Sequence, residues 1–177
     1  MGNPLDLYTV RAAVESDVPQ ILEIYNERIA NSTCLFMYDQ VPLDNRLTWF
    51  METKTKGYPI IVAAEKETNK AIAYANYGGF RPHTAFILGL GRLMLTEMLR
   101  IAIEMKFRNL IAGITAENEG SVILFDKFGF KNVGHFHDVG YKFGRYLDVV
   151  FLEYITDVQV EEGMTIPSFK PFAYDKY

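Results

Sequence analysis

The sequence is poor in the features that would place it in several common protein classes. It has one cysteine, Cys34, in 177 residues, which excludes an intramolecular disulfide and a cysteine-based zinc cluster. No apolar run approaches the roughly 18 residues needed to cross a bilayer, so no membrane partner is expected. There is no excess of basic charge: the formal net charge is −4, opposite to the basic footprint of a nucleic-acid binder, so no nucleic-acid partner is expected either. The three histidines, His83, His135 and His137, show no metal-ligand spacing with a second cluster, so no metal is expected. The N-terminal residues lack an apolar signal region, and Asp6 stands where a myristoylation site wants Ser or Thr. The Asn31-Ser32-Thr33 sequon would matter only in a secreted protein, and a cytoplasmic, reduced protein is expected.

What is present is an ordinary globular composition, 49% hydrophobic and 14% aromatic, with enough length for a core that needs no staples. Residues 8–12 read as an opening strand. Ser16 or Asp17 can cap the helix that follows, and Val18, Ile21, Leu22, Tyr25 and Ile29 fall on one helical face. A polar-aromatic loop over 31–41 leads to a second helix near 43–56, ended by Gly57 and Pro59. Residues 59–64 and 71–77 form a hairpin by loop length. A helix over 91–106 has one narrow polar stripe, including Arg92, Arg100 and Glu104, and is otherwise apolar. A strand at 109–115, a short helix at 121–128 stopped by Gly129, and strands at 130–138 and 145–154 complete the order β-α-α-β-β-α-β-α-β-β, a mixed α/β fold. Residues 1–156 read as one domain, and 157–177 as a tail or an arm that docks on something.

Two segments carry a family resemblance. Gly89-Leu90-Gly91-Arg92 opens the buried helix, and Asn118, Ser121, Leu124, Phe125, Gly129 and Phe130 fall on the signature N-x-x-S-x-x-L-(aromatic or His)-x-x-x-G-F. The chain therefore resembles the GCN5-related N-acetyltransferases. Gly57-Tyr58-Pro59, Ala73-Tyr74-Ala75-Asn76-Tyr77-Gly78 and the stretch from Val139 to Val149 are similar to its phosphinothricin and methionine sulfoximine acetyltransferase branch. The resemblance spans about residues 8–155. It implies a single mixed sheet flanked by helices, acetyl-CoA as cosubstrate, and a small amino-acid-like amine as acceptor. Relatives commonly dimerise, so a homodimer is compatible with it.

The resemblance also assigns residues. Gly89, Gly91 and Arg92 would meet the CoA pyrophosphate at a helix N-terminus, where free N–H groups and the helix dipole favour anions. For Arg92 a solvated helix face is an equal reading. Asn118 and Ser121 would contact the pantetheine or phosphate arm, although both also suit helix capping. The acceptor pocket would come from Leu35, Phe36 and Met37 and from Phe80-Arg81-Pro82-His83, with Phe36 packing on the substrate and Arg81 pairing with its carboxylate. Core packing for Phe36 and a solvated charge for Arg81 compete with those roles. His135 and His137 share a strand face and read as surface or packing residues rather than bases, and Cys34 has no evident base partner.

One family element is missing. Between residues 81–86 and Gly89, where relatives carry the central strand, an acidic dipeptide and the basic half of the pyrophosphate loop, only Ile87 and Leu88 intervene. A strand with its loops, roughly 15 residues, is absent, and the central strand is disrupted or reduced to a remnant at 84–88. Phe86 stands where Gln or Arg is expected. The family's usual base, a glutamate, lies in the lost segment, so the catalytic residue is unknown; no Asp or Glu occurs from Asn69 to Thr96. Phe125 replaces the Tyr or His that protonates the leaving thiolate in many relatives. Losing a general acid or base costs about 10²–10⁴-fold, so impaired acetyl transfer is one expectation. The other is a catalytically inactive CoA-binding or interaction module, a shortened form of the domain. The gap also predicts two bared strand edges, to be covered by 84–88, by the C-terminal 164–177 stretch or by a second chain.

Overall fold

The computed structural model describes residues 4–79, 90–159 and 169–176. Its ten main elements are β1 (Tyr8–Ala12), α1 (Val18–Asn31), α2 (Leu43–Thr55), β2 (Ile60–Glu65), β3 (Ala71–Asn76), α3 (Gly91–Glu104), β4 (Asn109–Thr115), α4 (Glu119–Lys127), β5 (Lys131–Lys142) and β6 (Arg145–Ile155). Their order is the one expected, and β1 and β4 have the expected bounds. The hairpin joining β5 to β6 turns later than expected: β5 continues through Gly140 to Lys142, because two register shifts let it bend while staying paired with β6.

The expected single sheet is divided. The described strands form two antiparallel three-stranded sheets, ordered β1-β2-β3 and β4-β6-β5. No described strand joins β3 to β4, and the segment where a strand was expected to be missing lies outside the described residues. The proposed remnant at 84–88, like Gly89, Arg81 and His83, lies outside the described residues.

In the first sheet the pleat sends alternate residues into two cores. Ile60, Val62 and Tyr74 face α1 and α2, packing with Val18, Ile21, Ile29 and Phe50. Ile61, Ala63, Ala73 and Ala75 face α3, packing with Met94, Met98 and Ile101. The alanines of β3 are weak strand formers, and their small side chains let a methionine-rich helix approach the sheet closely. The second sheet packs one face, Leu110, Ile114, Val150 and Leu152, against Leu95 and Ala102 of α3 and Phe125 of α4. α3 therefore belongs to both cores.

The capping residue of α1 is Asp17, but its side chain faces back rather than into the helix. It accepts from the Val14 N–H at 2.8 Å and takes both guanidinium nitrogens of Arg11, at 2.6 and 2.8 Å. The described part of the C-terminal arm docks on its own chain. Lys170 N–H donates to Met105 O and Phe172 N–H to Gly57 O, while Phe169 stacks on Tyr58 at 5.1 Å. The Tyr174 hydroxyl donates to Tyr58 O and accepts from the Ile60 N–H. The arm thus closes the end of the molecule where α2 and α3 finish and β2 begins.

Candidate functional site

Two loops meet where the two sheets come together. The first, residues 32–42 after α1, carries Phe36. The second, residues 116–118 between β4 and α4, ends at Asn118. Thr33 joins them: its carbonyl accepts from the Thr115 hydroxyl at 2.8 Å, and its own hydroxyl donates to Glu117 at 2.7 Å. Arg145 completes the junction through an ion pair with Glu117. These hydrogen bonds from Arg145 and Thr33 hold the Glu117 carboxyl below the usual range.

The Phe36 loop is fixed from the other side by Lys142. This side chain is fully buried, and its ammonium, a group with three donors, finds three carbonyls: Ile29 O at 2.6 Å, Ser32 O at 2.7 Å and Leu35 O at 2.6 Å. Burial pushes its pKa down from the usual lysine value. Tyr38 adds a bond from its hydroxyl to Tyr141 O, 3.0 Å. Phe36 itself is 41% exposed and rests on Gly140, where an added Cβ would lie 2.5 Å from the ring. Only glycine leaves room for that ring.

The residues expected to meet CoA occupy two neighbouring helices. Gly91 is buried at the start of α3, and a Cβ there would come within 2.8 Å of the Leu124 side chain, so the missing side chain lets α3 and α4 pack together. Arg92 is exposed on the first turn. The N-cap position of α3 is Leu90, whose side chain makes no cap hydrogen bond. The Asn118 side chain accepts from the Ser121 N–H at 3.2 Å, the geometry of an N-cap. The structure thus shows the capping reading of that pair, at a helix start beside the Thr33 junction. Phe125 is buried and edge-on to Phe130 at 4.9 Å, with no proton to give a leaving thiolate.

A cavity of about 280 Å³ opens between α1, α2 and the end of β3, with Tyr25, Arg46, Trp49, Tyr74, Asn76 and Gly79 among its lining residues. Gly78 and Gly79, the last described residues before position 80, both line it. Sequence reading did not find Arg46 or Trp49, whose only signal was their placement on one side of α2. The Arg46 guanidinium lies 4.0 Å over the Tyr25 ring and 5.0 Å from Trp49, a cation held by aromatic faces. Tyr25 ties the cavity to the Phe36 loop through a contact from its hydroxyl to Met37 Sδ, 3.2 Å. No carboxylate or histidine is among the described lining residues. Burial raises the Tyr74 and Tyr77 hydroxyls well above the phenol range, so neither is a base at neutral pH.

The histidines depart from expectation. His135 and His137 are exposed, as a surface role requires, but the structure brings them onto one carboxylate, Asp148 of β6. The sequence did not show this, because the third group comes from the partner strand through a bulge. The legible part of the signal was a His-x-His pair on a strand followed by a hairpin.

The sequence profile of the acetyltransferase (GNAT) domain matches residues 10–151. The chain is 32% identical over 160 residues to an L-methionine sulfoximine/L-methionine sulfone acetyltransferase of Pseudomonas aeruginosa, covering 82% of this chain and 92% of that one. It is 30% identical over 168 residues to an L-amino acid N-acyltransferase of Escherichia coli, covering 86% and 96%. Among solved structures, a phosphinothricin acetyltransferase from Sinorhizobium meliloti in complex with acetyl-CoA superposes with a TM-score of 0.80 at 26% identity, over 90% of this chain and 96% of that one. With a profile match reaching from β1 into β6, the chain belongs to the GNAT acetyltransferase family.

Proposed function

We propose that this protein transfers an acetyl group from acetyl-CoA to the primary amine of a small amino-acid-like molecule of the methionine sulfoximine or phosphinothricin type. The observation that carries this reading is the shared acceptor chemistry of relatives about 30% identical over most of the chain. The uncapped N-terminus of α3 offers N–H groups to a pyrophosphate, with Gly91 and Arg92 at its first turn and Gly89 just before it. The start of α4, with Asn118 and Ser121, supports the pantetheine arm. For the acceptor, Phe36 supplies an apolar wall, and the family resemblance gives Arg81 and His83 the part of a carboxylate partner. Arg46 in the adjoining cavity supplies a second cation of the right kind.

The reaction needs the amine to lose a proton and the tetrahedral oxyanion to be met by backbone N–H groups. The described cavity contributes no carboxylate or histidine for the first task. The group that takes the proton is unassigned, and turnover rises with pH as the free amine becomes more abundant. The domain carrying this activity is residues 1–156, with 157–177 its arm. The lone thiol of Cys34 suits the reducing cytoplasm, where we place the reaction.

Calorimetric titration with acetyl-CoA, followed by a thiol-release assay on methionine sulfoximine, phosphinothricin and a panel of amino acids, tests the reading. Saturable binding with turnover on this class of amine supports it. Absence of binding at millimolar acetyl-CoA overturns it. Binding without turnover on any acceptor assigns the chain to a non-catalytic CoA-binding module, the role the missing strand favours.

A further inference from the structure

The β5–β6 hairpin holds a cluster that acetyl transfer does not use. Between Phe136, opposite Val149, and Gly140, opposite Leu147, three residues of β5 bulge around the single Asp148 of β6. Asp138 takes a positive φ of 54° in that bulge, which points its N–H at Asp148 Oδ1, 3.0 Å away. The other carboxylate oxygen, Oδ2, receives His135 Nε2 at 2.9 Å and His137 Nδ1 at 2.8 Å. The two imidazoles stack at 4.3 Å. The bulge therefore gathers two imidazole nitrogens and one carboxylate oxygen, all within 4.8 Å of one another, at a solvent-accessible surface.

We propose that His135, His137 and Asp148 form a binding site for a divalent transition ion of the zinc or nickel type. Imidazole nitrogens with one carboxylate are the donor set that such ions take in preference to magnesium or calcium. The spacing also fits. For bonds of about 2.0–2.1 Å, two ligands of a tetrahedral zinc stand about 3.3 Å apart, so each His–Asp148 pair, now at 2.9 and 2.8 Å, needs to open by only a few tenths of an ångström. The Asp138 N–H fixes the carboxylate through the oxygen that the histidines leave free, as an outer partner of a metal ligand does. Binding replaces two N–H···O hydrogen bonds by two N–metal bonds. The ring protons move to His135 Nδ1 and His137 Nε2, the nitrogens that do not face Asp148. Water completes the coordination from the open side.

The test is calorimetric titration of the full-length protein with zinc chloride, repeated on His135→Gln and His137→Gln. Glutamine can still donate a hydrogen bond to Asp148, which preserves the bulge while removing the imidazole. One saturable equivalent is expected for the wild type, with binding weakened by about tenfold or more in each variant. Circular dichroism checks that each variant keeps its fold. In parallel, imidazole resonances of His135 and His137 should shift together on adding one equivalent of zinc to the wild type. Absence of saturable zinc binding overturns the proposal, as does unchanged affinity in either variant or a titration that leaves both ring signals in place. None of these readouts depends on acetyl transfer.

Discussion

The two sheets bury their residues in different ways. β2 and β3 are covered on both faces, by α1 and α2 on one side and α3 on the other, and nearly every residue in them is inaccessible. The β4-β6-β5 sheet packs only one face; Val133, Phe136, Tyr141 and Tyr146 of its long hairpin are at least half exposed. A fully sandwiched sheet holds its register through the core. A half-covered one must be held by specific polar contacts. Lys142 and Tyr38 join the hairpin, and Thr33 joins β4, to the loop that carries Phe36.

The sharpest way to break this arrangement is Lys142→Met. It leaves three buried carbonyls without their donor, at a cost of about 3 kcal/mol. For a chain of this size that is a fall in melting temperature of about 6–12 °C, read by circular dichroism. A melting temperature within 2 °C or so of wild type would show that the first sheet holds the Phe36 loop unaided.

Gly140→Ala acts more locally. The new methyl would meet the Phe36 ring, so the ring must leave its place. Acetylation assays should then show KM for the amine rising about tenfold, with a smaller change in kcat. In a Phe36→Leu background the same substitution should add little, because the clashing ring is gone. A smaller effect is expected in the well-buried half. Tyr174→Phe removes the bonds to Tyr58 O and the Ile60 N–H, and should lower the melting temperature by about 2–4 °C.

The mildest test concerns pH. The Asp148 carboxyl is held at about 2, below its ordinary 3.8, first by the Asp138 N–H and then by His137 and His135. Because the folded value is the lower one, this contribution to stability is complete above about pH 4 and is lost as pH falls towards 2. A carbon-13 titration of the carboxyl should show the depressed value. It should remain depressed in His137→Gln, since the backbone donor is the largest cause.

The parts legible in the sequence were those written in periodicity and turn chemistry. The apolar stripe of α1, the narrow polar stripe of α3 and the β-branched run of β2 each specify an element within their own residues. The deficit read between Phe86 and Gly89 falls outside the described residues, so the division into two three-stranded sheets rests on the described strands alone. Lys142 was not legible: nothing near a lysine between Gly140 and Gly144 marks it as buried, and its three acceptors come from residues more than a hundred positions away. Arg46 and Trp49 were hidden for a related reason, since their cavity exists only once α2 lies across β3. Asp148 reaches the histidines only through a bulge, and no fixed spacing announces one.

The position of α3 in both cores has a consequence for how the molecule comes apart. Met94, Met98 and Ile101 are held by the first sheet, Leu95 and Ala102 by the second. Neither sheet can lose its packing without stripping one side of the same helix. Although no described strand connects their hydrogen-bond ladders, the two halves should unfold in a single cooperative transition, with the slowest amide hydrogens to exchange in the middle of α3.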